Sequence, residues 1–150
     1  MRRAVMTAAA ALCLSGCVTA PAYIPIENSR SISLSKDEVW SNLVEHFAAG
    51  NIAIKTIEKD SGIIYAERMF ARGNEVSSFA DCGAATFASP VGGAADLNVF
   101  VREKDGGVTA TVNARFRQTR ASALDGSVTS TECSSLGVLE RTILDAAAAR

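Results

Sequence analysis

The clearest hydrophobic pattern along the chain has a helical period. Four large apolar side chains fall at i, i+3, i+4 and i+7, which lines one face of a helix: Trp40, Leu43, Val44 and Phe47. Ser35 and Glu38 precede them at the spacing of a capping box, and Gly50 follows where a left-handed C-terminal cap is expected. The pattern predicts a helix over residues 36–49 with this face, Trp40 included, in a core.

Other parts of the chain alternate between apolar and polar residues, as strands do. The alternating stretches are residues 31–35, 52–57, 63–70, 97–101, 108–116 and 127–132. Lys59–Gly62 separates two of them as a turn and predicts a hairpin. Thr109 and Asn113 alternate with apolar residues, which indicates antiparallel strands with one face in solvent.

Two further stretches complete the predicted order of elements. Residues 72–95 are rich in small and polar side chains without either period, and they predict a long loop that is functional or mobile. A C-terminal helix is predicted after Ser134 or Ser135 as its cap, with apolar residues at helical spacing. Those apolar residues are Leu136, Leu139, Ile143 and Ala147.

The resulting order is β-α-β-β-loop-β-β-β-α. It predicts an α+β fold, in which a curved antiparallel sheet is packed by one N-terminal and one C-terminal helix. Residues 31–150 are expected to form a single domain.

The first residues have the layout of a secretory signal. Arg2 and Arg3 precede an apolar run from Ala4 to Leu14. This run is shorter than the roughly 20 residues that a helix needs to cross a bilayer. The alternative is a buried N-terminal helix of the domain, which Pro21 and the lack of a polar face disfavour.

The end of this run resembles the lipobox of bacterial lipoprotein signals, which is an apolar residue, a small residue, Gly or Ala, and then Cys. Leu14-Ser15-Gly16-Cys17 matches at all four positions. The resemblance implies that residues 1–16 are removed and that Cys17 carries lipid. Two or three acyl chains on this cysteine would give stable anchoring. With Val18 next, it implies an outer-membrane anchor and a domain that faces the periplasm.

Residues 17–30 then read as the lipidated cysteine and an extended tether, since they contain two prolines and follow no period. The alternative is that Tyr23, Ile24 and Ile26 pack on the domain as an edge segment.

The lipobox also changes how the remaining cysteines are interpreted. Cys13 would leave with the signal peptide and Cys17 would be acylated, so that Cys82 and Cys133 remain. Two thiols in an oxidising compartment predict one disulfide bond. The alternative is a redox or metal site, but the chain has one histidine and no Cys-x-x-Cys motif.

Charge adds one exclusion. The formal net charge is −1, and residues 17–150 contain thirteen basic and sixteen acidic side chains. Nucleic-acid binding needs a clustered basic surface. The sequence therefore indicates no nucleic-acid partner.

Candidate catalytic residues do not form a known arrangement. His46 lies on the predicted first helix, while Ser77, Ser78 and Ser89 stand in no nucleophile-elbow motif. We expect no catalytic residue, no metal site and no cofactor. Arg115 and Arg117 on the solvent side of a strand, with Arg120 beyond it, allow two interpretations, a strip that binds a partner or an ordinary solvated face.

The pattern from Lys36 to Gly62 is a helix, an Ile-rich strand, an Asp-Ser-Gly turn and a strand. It resembles the small helix-grip domains of envelope lipoproteins, such as the accessory lipoprotein C of the β-barrel assembly machinery. A tether, a small domain and the lack of a catalytic set predict a non-catalytic lipoprotein that binds an envelope protein in an envelope or secretion assembly. The alternative is a carrier of a small ligand or lipid in a groove between helix and sheet, with residues 72–95 as a lid. The Cys82/Cys133 pair departs from the pattern of the helix-grip domains.

Overall fold

A computed structural model describes residues 18–104 and 106–150. The predicted signal peptide and Cys17 lie outside the described residues. The elements in chain order are β1 (Val18–Thr19), β2 (Ser29–Ile32), α1 (Lys36–Ala49), β3 (Ala53–Glu58), β4 (Ile63–Phe70), β5 (Ala80–Asp81), β6 (Ala84–Ala85), β7 (Ala88–Lys104), β8 (Gly107–Ser122), β9 (Val128–Ser135) and α2 (Val138–Ala147). The predicted α+β fold is confirmed: both helices flank a curved antiparallel sheet.

Helix α1 forms as its sequence predicts. The Ser35 hydroxyl accepts the Glu38 amide while the Glu38 carboxylate accepts the Ser35 amide, so the capping box is complete. Its apolar face is buried, and Trp40 is a core residue. The predicted left-handed cap at Gly50 is wrong by one position. Gly50 has φ −85°, and Asn51 takes the positive φ of 52°.

Strand β8 is the centre of the main sheet. The strand order is β3-β4-β7-β8-β9-β5, and every pairing in it is antiparallel. One edge of β8 pairs with β7 along nearly its whole length. Its other edge is shared, because β2 pairs with Val108–Thr111 and β9 pairs with Phe116–Ala121. Strand β8 therefore pairs with strands from both the N-terminal and the C-terminal parts of the chain.

The predicted loop over residues 72–95 is wrong in its second half, because β7 already begins at Ala88. The small residues there belong to a strand that neighbouring backbone and side chains approach closely. A Cβ added at Gly93 would lie 2.5 Å from both the Arg117 carbonyl oxygen and Val76 Cγ2. The loop therefore covers residues 71–87, and a 3₁₀ turn at Val76–Ser78 packs against this part of β7.

The segment interpreted as a tether contacts the domain at several points. Strand β1 pairs with β6, the Ala22 amide bonds to Asp81, and β2 begins at Ser29 rather than at residue 31. Ile26 is half-buried beside Gly137, whereas Tyr23 is exposed. The alternative of an edge segment thus describes part of this stretch.

Helix α2 begins later than predicted. Ser134 and Ser135 belong to β9, where they pair with β5, and the N-cap is Gly137 with φ 73°. Leu139, Ile143 and Ala147 are buried as expected, but so is Glu140. Neither carboxylate oxygen of Glu140 has a hydrogen-bond partner among the described residues. Its place in the first turn puts the carboxyl group near the positive end of the helix dipole.

The core lies between the helices and one face of the sheet. Fully buried apolar side chains of α1, α2, β4, β7 and β8 form a single cluster. The two helices also contact each other, and Asn42 Nδ2 donates to the carbonyl oxygens of Ala147 and Ala149. The opposite face of the sheet carries exposed side chains, so the domain has two layers.

A disulfide joins Cys82 to Cys133, with Cα atoms 4.2 Å apart. It links the 71–87 loop to β9 across 51 positions of sequence. Cys82 is buried and Cys133 is half-buried against the core. The predicted pairing of these two cysteines is thus present.

Removing either cysteine should destabilise the domain. Closing a loop of this length stabilises a protein by up to about 4 kcal/mol in the chain-entropy model. We expect Cys82→Ser and Cys133→Ser each to lower the midpoint of thermal unfolding, measured by circular dichroism. Reductant should lower the midpoint of the unchanged protein and leave that of the variants as it is. Labelling of both thiols in the unreduced native protein would contradict the pairing.

Candidate functional site: the Arg120 pocket and the outer sheet face

Arg120 lies inside the domain, which corrects its interpretation as part of a partner-binding strip or of a solvated face. Only 6% of its surface is exposed. Phe116, Gln118 and Arg120 are alternate residues of β8 and continue the inward row of that strand. Extending the alternation four positions beyond Phe116 places Arg120 in the inward row, but its charge indicated a solvated position.

The Arg120 guanidinium holds the 71–87 loop against β8. Its Nη2 donates to the carbonyl oxygens of Cys82 and Gly83, both at 2.7 Å, and its Nε donates to Gln118 Oε1 at 2.8 Å. Gln118 Nε2 in turn donates to the Gly73 carbonyl oxygen at 3.1 Å. Gly73 near the start of the loop, and Cys82 and Gly83 further along it, are therefore bonded to adjacent inward side chains of one strand.

The charge of Arg120 has no partner of opposite sign within the described part of the chain. Its recorded acceptors are one amide and two backbone carbonyls, all neutral. By contrast, more exposed cations such as Arg30, Lys55 and Arg117 each pair with a carboxylate. Burying a charge without a counter-charge is costly. The buried cation at this site thus lacks a carboxylate partner, whereas the more exposed cations have one.

A pocket of about 470 Å³ opens beside this guanidinium. Nη1 has no hydrogen-bond partner among the described residues, and it is not sealed from solvent. Polar groups of the lining are Ser77, Asp81, Gln118 and Arg120, and much of the remaining wall is alanine with Pro90 and Leu136. The volume lies within the range of small-molecule sites.

Asp81 shares the pocket but does not neutralise Arg120. Its Oδ2 accepts the Ala22 amide at 2.8 Å, and its Oδ1 accepts the Gly83 amide at 2.9 Å. The Ala22 bond, and after it the Gly83 bond, lowers the pKa of this carboxyl below its ordinary value of 3.8. Asp81 therefore connects the N-terminal segment to Gly83, whose carbonyl oxygen also accepts a hydrogen bond from Arg120.

Arg115 and Arg117 lie on the outer face of the sheet, as expected from their position in the strand. Arg117 Nη2 pairs with Asp96 Oδ2 at 2.9 Å, and the Tyr65 hydroxyl donates to Asp96 Oδ1 at 3.3 Å. Met69 is 69% exposed on the same face. A second cleft, of about 440 Å³, lies there between Met69 and Arg117.

The candidate catalytic residues are not brought together by any recorded bond. His46 is half-buried on α1, and desolvation, followed by the nearby charge of Arg68, lowers its pKa. Its side chain makes no hydrogen bond to Ser77, Ser78 or Ser89. Within residues 18–104 and 106–150, no group of three or more His, Cys, Asp or Glu side chains could hold a metal ion.

The space between α1 and the sheet is filled. Val39, Leu43 and Phe47 of the helix are fully buried against equally buried side chains such as Leu97 and Val112. The clefts beside Arg120 and on the outer face lie elsewhere. Of the helices that the structure describes, neither is long and apolar enough to cross a membrane.

No protein-family model, curated protein or solved structure matches this chain. The interpretation of its surfaces therefore depends on its own residues.

Protonation of Asp81 should release the N-terminal segment. Because the folded pKa is depressed, the contribution of this carboxylate is present above the ordinary value of 3.8 and is lost as pH falls through the lower folded value. We expect the Ala22 and Gly83 amide resonances to titrate together below pH 3.8. Asp81→Ala should speed hydrogen exchange in residues 18–28 at neutral pH, whereas Asp96→Ala should not. Equal exchange in both variants would contradict this role.

Proposed function

We propose that this chain is a lipid-anchored periplasmic lipoprotein that binds an envelope protein and catalyses no reaction. The lipobox at Leu14–Cys17 supports the anchor and the compartment. The Cys82–Cys133 disulfide is consistent with an oxidising compartment. The uncovered outer face of the sheet is the observation that carries the binding role.

The outer face has the composition of a protein-binding surface. Interfaces are enriched in Tyr, Met and Arg, and this face presents Tyr65, Met69, Arg115 and Arg117 around Asp96. The exposed apolar side chains lie beside charges that are held in place by bonds across strands. A partner with an apolar centre and mixed charges at its rim would fit this arrangement.

The fold also indicates how an anchored domain would be oriented. Val18 pairs with Ala85, so Cys17 is one residue away from a strand pair. A lipid on Cys17 would leave the domain at β6 rather than at the end of a free tether of 13 residues. The side of the domain that carries the β1–β6 pair would then lie close to the membrane.

Apolar side chains on that side favour the same orientation. Phe87 follows β6 and is 54% exposed, and its carbonyl oxygen accepts the Ala123 amide. Leu124 is next to that amide and is 75% exposed. Exposed large apolar residues are suited to a membrane interface.

Lipidation is tested by mass spectrometry of the N-terminal peptide from native membranes. We expect the peptide to begin at Cys17 and to carry a diacylglyceryl thioether and an acylated amine. Cys17→Ser should leave the protein unprocessed and without lipid. Cys13→Ser is the matched control, because that residue lies in the removed peptide and should change nothing. An unmodified Cys17 would refute the anchor.

Partner binding is tested by photocrosslinking in native membranes. A benzoylphenylalanine at exposed Asn98 on the outer face should give one reproducible adduct with another protein. The same probe at exposed Glu45 on α1 is the control and should not give that adduct. Arg115→Glu should reduce the adduct several-fold without changing thermal stability. Equal adducts from Asn98 and Glu45 would refute a specific face.

A further inference from the structure

We infer that the Arg120 pocket binds the carboxylate group of a ligand. The inference goes beyond the proposed partner surface, since the pocket lies on another side of the sheet, and it does not require lipid on Cys17. The buried guanidinium of Arg120 has neutral acceptors on Nε and Nη2, while Nη1 has no hydrogen-bond partner among the described residues and the residue lines the pocket.

The open nitrogen determines where an anion would sit. Nη1 carries two N–H groups, and a hydrogen bond from a cation to an anion is about twice as strong as a neutral one. The bonds to Cys82, Gly83 and Gln118 hold the guanidinium in position before a ligand arrives. Pre-organisation of this kind lowers the entropy that binding costs. An anion at Nη1 would supply the missing counter-charge.

The lining favours a monoanion over phosphate. Asp81 presents a carboxylate to the same pocket, and its depressed pKa keeps it charged at neutral pH. A phosphate dianion would be repelled by it and would meet a single arginine, whereas phosphate sites use several donors. A carboxylate carries one charge, and the Ser77 hydroxyl is a second donor in the lining.

The remaining wall defines the rest of the ligand. It is formed by small and apolar residues, which leave room for a short apolar group behind the carboxylate. These residues are Ala80, Ala84, Ala85, Ala88, Pro90 and Leu136. A free short-chain carboxylic acid and the C-terminus of a peptide with small side chains share this chemistry.

Binding is tested with the full chain in detergent at constant ionic strength and neutral pH. The probes are propionate, N-acetyl-alanyl-alanine and the C-terminal amide of that dipeptide. We expect saturable changes in the amide resonances of Cys82 and Gly83 with at least one carboxylate and none with the amide. Propionate alone would identify a free acid as the source, and tighter binding of the dipeptide acid would identify a peptide C-terminus.

Three variants separate binding from folding. Arg120→Gln should weaken binding by roughly tenfold or more, because it removes a charged hydrogen bond. Ala88→Leu should fill the pocket and abolish binding while leaving every Arg120 bond in place, which decides the matter if Arg120→Gln does not fold. Arg102→Gln removes the same charge from an exposed position of β7 and should bind as the unchanged protein does.

Several results would overturn the inference. These are binding of the amide as tight as that of the acid, full binding by Ala88→Leu, and binding of inorganic phosphate in place of both carboxylates. The absence of any saturable change at millimolar carboxylate would also overturn it.

Discussion

The bonds made by one buried side chain, Arg120, decide how the middle of this chain is arranged. A guanidinium inside a protein needs acceptors, and here two backbone carbonyls of the 71–87 loop supply them. Gln118 extends the same network to Gly73 at the start of that loop. The loop is consequently bonded to β8 at Gly73, Cys82 and Gly83, and the Cys82–Cys133 disulfide ties it to β9 as well. These polar and covalent links add to the burial of Val76 and Ala80 in the core.

The two faces of the sheet contribute differently to the stability of the domain. The inner face carries the apolar rows that pack under α1 and α2, and burial of this area supplies most of the stability. The outer face carries cross-strand pairs such as Arg117 with Asp96, which orient side chains but add little free energy because water screens them. Stability and the proposed partner recognition therefore use different residues, so the outer face can change without loss of the core.

The course of the N-terminal segment links the fold to the proposed anchor. Strand β1, the Asp81 bond to Ala22, half-buried Ile26 and β2 hold this segment along the domain. An anchored protein of this shape would present a defined side to its partners, which a flexible tether would not provide.

Local patterns in the sequence were sufficient for α1, for the β3–β4 hairpin and for the alternation of β8 up to Phe116, because each depends on neighbours a few residues away. The cysteine pairing was also predicted from sequence, on the expectation that Cys13 leaves with a signal peptide and that Cys17 carries lipid. The start of β7 and the burial of Arg120 and Glu140 did not, since Gly93 and these charged residues look like loop or surface residues until distant backbone is brought against them. Short-range periodicity thus determined the elements and the class of fold. Tertiary packing alone decided which polar groups are enclosed, because hydrogen-bond acceptors for a buried charge come from residues far away in sequence.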